Sequence, residues 1–147
     1  METTVSELNI RPIEPRDASA AAELSDQLGY PAAEEEIRER IVALATTQAA
    51  FVAELDGQVV GWIDVALTFH LQTPPYALIG GLVVKDGVRG LNIGKRLCQQ
   101  AEQWSREQGV SLIRVTSRTT RTDAHRFYLR DGYSDVKTSR VFEKRLG

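Results

Sequence analysis

The organisation of this chain is set by the stretch from residue 82 to residue 97, which reads Leu82-Val-Val-Lys-Asp-Gly-Val-Arg-Gly-Leu-Asn-Ile-Gly-Lys-Arg-Leu97. It begins as an apolar strand, continues as a loop with Gly87 and Gly90, and ends in the first turn of an amphipathic helix. Backbone N–H groups at a helix start have no intrahelical partner and carry the positive end of the helix dipole. Because glycine lets an anion approach the backbone, the stretch predicts a cradle for a phosphate or pyrophosphate group.

Two common nucleotide-binding motifs do not fit this stretch. A Walker loop requires Ser or Thr after Gly-Lys, whereas Gly94-Lys95 is followed by Arg96. A dinucleotide fingerprint requires G-x-G-x-x-G, and Gly87, Gly90 and Gly94 have a different spacing.

Hydrophobic periodicity predicts the elements on either side. Strands are expected at residues 8–13, 50–55, 59–67, 76–84, 110–115 and 135–146, and helices near residues 17–28, 34–44, 92–108 and 123–130. Asp56-Gly57 is typical of a tight hairpin turn, and Gly80-Gly81 indicates a bulge or a close approach to the backbone. The pattern predicts one domain over residues 1–147, of α/β (α+β) class with a mixed sheet.

Composition excludes several classes of protein. The 147 residues carry a formal net charge of −2, which is unlike a general nucleic-acid binder. The one cysteine, Cys98, excludes a disulfide framework and is expected to be a small buried hydrophobe. His70 and His125 have no metal-ligand spacing, so no metal is expected. Without a membrane span or a signal-peptide pattern, we expect a soluble cytoplasmic protein.

Two motifs resemble those of the GNAT superfamily, the acyl-CoA-dependent N-acetyltransferases. The cofactor loop of that family resembles Arg89-Gly90-Leu91-Asn92-Ile93-Gly94, which here follows Leu82-Val83-Val84. Asn92 replaces the usual glycine; asparagine tolerates positive φ and is also a good helix N-cap. The late helix of the family resembles residues 124–133, although Arg121 replaces a frequent asparagine.

The resemblance implies a mixed, mostly antiparallel sheet splayed in a V and flanked by about four helices. It places acetyl-CoA between the strands that end at Val84 and Val115. The residues implied to bind the cofactor are Leu82, Val83, Val84, Arg89, Gly90, Leu91, Asn92, Ile93, Gly94 and Lys95. The reaction implied is direct attack by a primary amine on the thioester. Tyr128 matches the tyrosine that gives a proton to the departing CoA thiolate, since a phenol with a pKa near ~10 is protonated at neutral pH.

The general base and the acceptor stay open at this level. The strand at residues 76–84 carries no carboxylate, so Asp64, His70, Glu54, Tyr76 or a water are the candidates for the base. The glutamates at residues 34–36 suit either a helix start or an acidic patch for a polycationic acceptor. A small-molecule amine is the leading acceptor. The alternatives are a protein or peptide amine and a non-catalytic acyl-CoA-binding module, and a homodimer would be in keeping with the family.

Overall fold

The computed structural model describes residues 7–88 and 90–147. Between Val115 and Thr116 the chain divides into two compact units. The first unit contains one five-stranded sheet with strand order β1-β2-β3-β4-β5. Its strands are β1 (Leu8–Pro12), β2 (Gln48–Leu55), β3 (Gln58–Thr68), β4 (Tyr76–Val84) and β5 (Ile113–Val115).

Helices cover both faces of this sheet. They are α1 (Ala18–Leu28), which follows a short 3-10 turn at Pro15–Asp17, then α2 (Glu34–Val42) and α3 (Ile93–Glu107). Trp62 of β3 donates from its indole Nε1 to the carbonyl of Ala21, so α1 lies on the face that carries Trp62. Gly61 points to the other face, where a Cβ atom would meet Leu97 of α3 at 3.2 Å. The sheet is thus the middle layer of three.

The core lies mainly between the sheet and α3. The largest fully buried side chains are Ile63, Ile79, Leu97, Val52 and Cys98. Cys98 is 0% exposed, which confirms the prediction of a buried hydrophobe at that position. The hairpin between β2 and β3 is also confirmed, since Asp56 and Gly57 both have positive φ, at 49° and 85°.

The ladder between β3 and β4 contains a bulge. Asp64 pairs with Gly81 and Val65 pairs with Ile79, so Gly80 is an extra residue on β4. Such an insertion bends its strand and redirects the neighbouring side chains. The Gly80-Gly81 dipeptide therefore marks a true bulge, as predicted.

The sheet is antiparallel except at its last pair. β4 pairs with β5 in parallel, and this ladder covers only Ala77–Ile79 against Ile113–Val115. The second half of β4 extends beyond this ladder. β5 is shorter than the predicted 110–115 because the amide of Val110 donates to the Ser105 carbonyl and closes the end of α3.

A charged cluster fastens the start of the chain. Arg11 Nη1 lies 2.8 Å from Asp17 Oδ2, and Arg11 Nη2 lies 2.7 Å from Glu54 Oε2. Asp17 also accepts a hydrogen bond from the Glu14 amide at 2.8 Å. Asp17 directly precedes α1, but its carboxylate is bound by the Arg11 guanidinium and the Glu14 amide and makes no cap hydrogen bond to this helix.

The second unit, residues 116–147, contains α4 (Thr122–Arg130). Gly132 follows this helix with φ 93°, and the Tyr133 amide donates to the Tyr128 carbonyl at 2.9 Å. Beyond it, the predicted strand at residues 135–146 is wrong, because these described residues form no ladder. Val141 and Phe142 are each 86% exposed. Alternation indicates which face of a strand is apolar, but a strand also needs a partner for its backbone groups.

Among the described residues, no helix has the length and apolar character needed to cross a bilayer.

Candidate active site

The loop between β4 and α3 contains residues whose backbone is in the left-handed conformation. Gly87 and Gly90 have φ of 85° and 84°, and Asn92, directly before α3, has φ 53° and ψ 40°. This confirms that Asn92 takes a glycine-like conformation, although its side chain makes no cap hydrogen bond. The first helical hydrogen bond runs from the Arg96 amide to the Asn92 carbonyl at 2.9 Å. The amides of residues 93–95 therefore come before the first hydrogen bond of the helix. Amides at this place in a helix commonly bind an anion.

The residues at the start of α3 differ in their exposure to solvent. Ile93 is 4% exposed and anchors the helix to the core, whereas Lys95 and Arg96 are exposed. Gly90 and Leu91 lie in the loop itself, and Gly94 is in the first turn of α3. Arg89, also predicted to bind the cofactor, lies outside the described residues. The arrangement is an open backbone turn with two cations beside it.

Gln27 of α1 holds the end of β4, a contact that the sequence did not reveal. Its Nε2 donates to the Val84 carbonyl at 2.8 Å, and its Oε1 accepts from the Asp86 amide at 2.9 Å. At the end of β4, this side-chain amide makes hydrogen bonds to the backbone that a neighbouring strand would otherwise make. Of the predicted backbone contacts, the Val84 carbonyl is therefore already used, while Val83 is buried and Leu82 and Val84 are half-buried.

Asp64 lies against the two glycines of the bulge. A Cβ atom on Gly80 would come within 2.9 Å of Asp64 Oδ2, and one on Gly81 would come within 3.4 Å of Asp64 Oδ1. Trp62 covers the other side of Gly81, where the same Cβ would meet the indole at 2.9 Å. The glycines thus leave room for one carboxylate and one indole on the same face of the sheet.

The electrostatics of Asp64 set it apart from the other acidic groups. Burial raises the pKa of its carboxyl, and hydrogen bonds from the amides of Gly81 and of Asp64 itself only partly oppose that effect. The residue nevertheless keeps more than a third of its surface in contact with solvent. It is therefore a carboxylate closely surrounded by protein that solvent can still reach.

Three polar groups lie further along the face that carries Trp62 and Asp64. Tyr76 pairs with Thr68, which is four residues from Asp64 on β3. His70 Nε2 is 3.2 Å from the Tyr76 hydroxyl oxygen, and the Arg114 guanidinium carbon is 4.8 Å from the centre of the Tyr76 ring. A guanidinium over an aromatic ring is attracted by the face of the ring and can still donate hydrogen bonds from its N–H groups.

The other predicted acidic groups are already paired. Glu54 accepts from Arg11 at 2.7 Å, so this candidate base is part of the N-terminal cluster. On α2, Arg38 pairs with Glu34 at 2.9 Å and also with Glu35. Glu36 accepts from the Ala33 amide at 3.1 Å. The glutamates at residues 34–36 therefore fit a helix start better than a patch for a polycation.

Tyr128 lies on α4, in the second unit. Its ring makes edge-to-face contacts with Phe127 and Tyr133, with centroids 5.2 and 5.6 Å apart. On the same helix, His125 Nε2 lies 2.8 Å from the Arg118 carbonyl oxygen and the residue is half-buried rather than fully at the surface. Within the described part of the chain, no three His, Cys, Asp or Glu side chains are grouped as metal ligands.

A family model described as the acetyltransferase (GNAT) family matches residues 15–133. The chain belongs to this family. The match includes both motifs of the candidate site, the loop before α3 and the helix that carries Tyr128.

Curated GNAT relatives act on different amines. The chain is 42% identical over 79 residues to the aminoalkylphosphonate N-acetyltransferase of Salmonella typhimurium, an alignment that covers 53% of this chain and about half of the relative, 51%. It is 29% identical over 135 residues to the aminoglycoside N(6')-acetyltransferase type 1 of Stenotrophomonas maltophilia, covering 87% of each chain.

Solved GNAT structures confirm the fold. The aminoglycoside N-acetyltransferase AAC(6')-Iy in complex with CoA has a TM-score of 0.87 at 17% identity, covering 99% of this chain and 100% of that one. The same enzyme with a bisubstrate analogue, CoA-S-monomethyl-acetylneamine, has a TM-score of 0.84 at 17% identity and covers 95% of this chain and 99% of that one. The fold is therefore a GNAT fold of mixed, mostly antiparallel type.

Proposed function

We propose that this protein transfers the acetyl group of acetyl-CoA to the primary amine of a small molecule. The observation that carries the proposal is the second half of β4, which extends beyond its ladder with β5 and leads into a left-handed loop and the open start of α3. Backbone of β4 beyond the parallel ladder suits the thioester and the pantetheine arm. The loop and the amides of residues 93–95 suit the pyrophosphate, because they supply donors and the positive end of a helix dipole.

The residues proposed to bind acetyl-CoA are the ones that the family motif indicates. They are Leu82, Val83, Val84, Arg89, Gly90, Leu91, Asn92, Ile93, Gly94 and Lys95. Lys95 and Arg96 are exposed and add positive charge for the phosphates. Tyr128 is proposed as the general acid that protonates the CoA thiolate as it leaves. The protein is proposed to work in the cytoplasm.

We further propose that the acceptor carries an anionic group in addition to its amine, as an aminoalkylphosphonate does. The support is the polar group of Arg114, Tyr76 and His70 on the face that carries Asp64. A guanidinium offers paired N–H donors that are well suited to the oxygens of a phosphonate. A polycationic aminoglycoside is the second candidate, since a relative acts on one. It is disfavoured here because Glu34 and Glu35 already pair with Arg38.

Thermal unfolding tests the cofactor site. Saturating acetyl-CoA is expected to raise the unfolding temperature, because a ligand at ~100 times its Kd adds about 2.7 kcal/mol to the stability of the state it binds. Gly90→Ala should abolish most of this rise. Gly109→Ala is the matched control, since Gly109 has a similar φ of 85° but ends α3 rather than forming the cradle. Absence of any rise with wild-type protein would refute the acetyl-CoA site.

Thiol release from acetyl-CoA then tests the reaction. We expect release with 2-aminoethylphosphonate and much less with kanamycin. The reverse preference would refute the anionic acceptor while leaving the acetyltransferase intact. Binding of acetyl-CoA without thiol release to either amine would refute the proposed transfer.

A further inference from the structure

The strongest unassigned feature is the carboxylate of Asp64. It lies on β3 opposite Gly81, one residue before Leu82, where the proposed function places the thioester. A side chain that faces this part of β4 is near the atoms that react. This position follows from the register of two strands and does not depend on any residue of the second unit.

The chain makes unusual room for this group. Gly80 and Gly81 both leave out a Cβ that would come within 2.9 to 3.4 Å of Asp64 or Trp62. The bulge at Gly80 directs both glycines toward the carboxylate. The two adjacent glycines thus leave space beside the Asp64 carboxylate in the middle of an otherwise apolar strand.

Among the described residues, Asp64 also has no cationic side chain as a partner. Asp17 and Glu54 share the guanidinium of Arg11, whereas Asp64 forms no ion pair with any described residue. A carboxylate that is partly surrounded by protein and has no cation beside it is suited to a ligand that supplies one. An ammonium group has the matching charge and the donors that the two carboxylate oxygens require.

We propose that Asp64 binds the acceptor ammonium and accepts a proton from it. This inference rests on the proposed function and extends it, because it assigns the group that prepares the nucleophile. Among the other candidates for the base, Glu54 is held by Arg11, while His70 and Tyr76 are hydrogen-bonded to each other further along the sheet.

The ammonium R–NH3+ gives one proton to the Asp64 carboxylate, and the neutral amine then forms the N–C bond to the thioester carbonyl carbon. Collapse of the tetrahedral intermediate breaks the C–S bond and expels the CoA thiolate. The thiolate takes a proton from the proposed acid Tyr128, and the second proton lost by the amine nitrogen then restores the Tyr128 phenol. The products are the amide, CoA thiol and one proton, which Asp64 returns to solvent.

Few titratable groups surround Asp64. Across the sheet it pairs with Ala50 of β2 and Gly81 of β4. The buried residues of α1 are Ala18, Ala21, Leu24 and Ser25, none of which titrates. Tyr76, His70 and Arg114 are the titratable or charged groups on the same face of the neighbouring elements. A rate profile that changes with Asp64 therefore reports on Asp64 itself.

The test compares wild-type protein with Asp64→Asn, Asp64→Glu and the control Glu107→Gln. Glu107→Gln removes one exposed negative charge from α3, on the other face of the sheet. The rate of thiol release is measured with 2-aminoethylphosphonate and with kanamycin from about pH 5 to about pH 9. It is expressed as kcat/KM for the amine. Thermal unfolding with acetyl-CoA checks that each variant folds and binds the cofactor.

We expect Asp64→Asn to lower kcat/KM for the amine by roughly 10²–10³-fold and to remove the acidic limb of the profile. The acetyl-CoA shift and the KM for acetyl-CoA should not change. Asp64→Glu should recover part of the rate and the limb, and Glu107→Gln should match wild type. An Asp64→Asn variant with an intact limb and a rate within about 3-fold of wild type overturns the assignment. If the wild-type protein acetylates neither amine, the proposed function fails first, and this assignment fails with it.

Discussion

Asp64 and Gly80 are so close that a Cβ on the glycine would lie 2.9 Å from the carboxylate oxygen Oδ2. This contact joins a bulge in β4 to a carboxylate that forms no ion pair with any described residue. The backbone of the proposed thioester site and the proposed base are thus positioned by the same irregularity.

Gly80→Ala should impair the site by moving the carboxylate. Because the clash is with the end of a side chain, the protein should fold with a loss of about 1 kcal/mol or less, while kcat/KM falls by roughly 10-fold or more. Steady-state kinetics and thermal unfolding measure both effects. In the Asp64→Asn background the same substitution should add no further loss of rate, and a full additive loss would contradict the link.

Gly81→Ala should act on stability instead. Its Cβ would lie 2.9 Å from the Trp62 indole, which is held by α1 through the Ala21 carbonyl and cannot move freely. The cost is expected to be about 1–3 kcal/mol. Chemical denaturation checks this value, and a loss smaller than that of Gly80→Ala would show that the indole has room to shift.

Asp64→Asn should stabilise the protein at neutral pH. Burial raises the pKa of Asp64 in the folded state, so the ionised form is disfavoured there and stability is lost as pH rises through that pKa. The amide removes this penalty, and we expect the unfolding temperature to rise by about 1–2 °C at pH 7 because the residue is partly exposed. The gain should vanish as pH falls below the ordinary aspartate range. A gain that persists in acid would indicate a cause other than ionisation.

Asp17→Asn should have the opposite effect. Burial alone would raise the pKa of Asp17, but hydrogen bonds from Arg11 and from the Glu14 amide outweigh it and hold the pKa below its usual value. The ionised carboxylate therefore contributes stability above the unfolded-state pKa, and this is lost as pH falls through the lower folded-state pKa. We expect a cost of about 2–4 kcal/mol at pH 7, measured by denaturation. The difference from wild type should shrink in acid, and an unchanged difference would argue against the ion pair.

Asn92→Gly and Asn92→Ala separate backbone conformation from side chain. Asn92 has φ 53°, where alanine is strained by about 1–2 kcal/mol and glycine is not. Asn92→Ala should therefore lower stability by about 1 kcal/mol and weaken acetyl-CoA binding, whereas Asn92→Gly should bind acetyl-CoA within about 3-fold of wild type or more tightly. Calorimetry of acetyl-CoA binding measures this. Weaker binding by the glycine variant would show that the amide side chain itself contacts the cofactor.

Tyr128→Phe tests the proposed acid. The substitution keeps the ring and its contacts with Phe127 and Tyr133, so the fold should be maintained. Loss of the phenol proton should reduce kcat by roughly 10²-fold with little change in either KM. Phe127→Leu on the same helix is the control for packing. An unchanged kcat would refute the acid role of Tyr128.

The local features of the fold could be predicted from the sequence because each depends on neighbouring residues. Apolar spacing predicted α1 and α3, and Asp56-Gly57 predicted the hairpin. Asn92 was predicted to tolerate positive φ, and it does. The error at residues 135–146 has a physical cause, since alternation describes one strand and says nothing of its partner.

The candidate site was less predictable because its contacts join distant residues. Asp64 was one of five candidate bases, and its sequence signal was a charged residue in an apolar strand followed by a Gly-Gly pair in the next strand. Residues 69–75 join the two strands without a tight turn, so the sequence did not fix their register. Gln27 lies 57 residues before Val84, and no local pattern relates them.

The sequence by itself determined the strand, loop and helix at residues 82–97 and the two motifs of the family, because glycine positions and apolar periodicity act over a few residues. Tertiary structure alone decided that Asp64 faces Gly80, that Gln27 holds the end of β4, and that Arg114 stacks on Tyr76. Each of these contacts depends on strand register and helix packing, which are fixed only when the whole core is buried together.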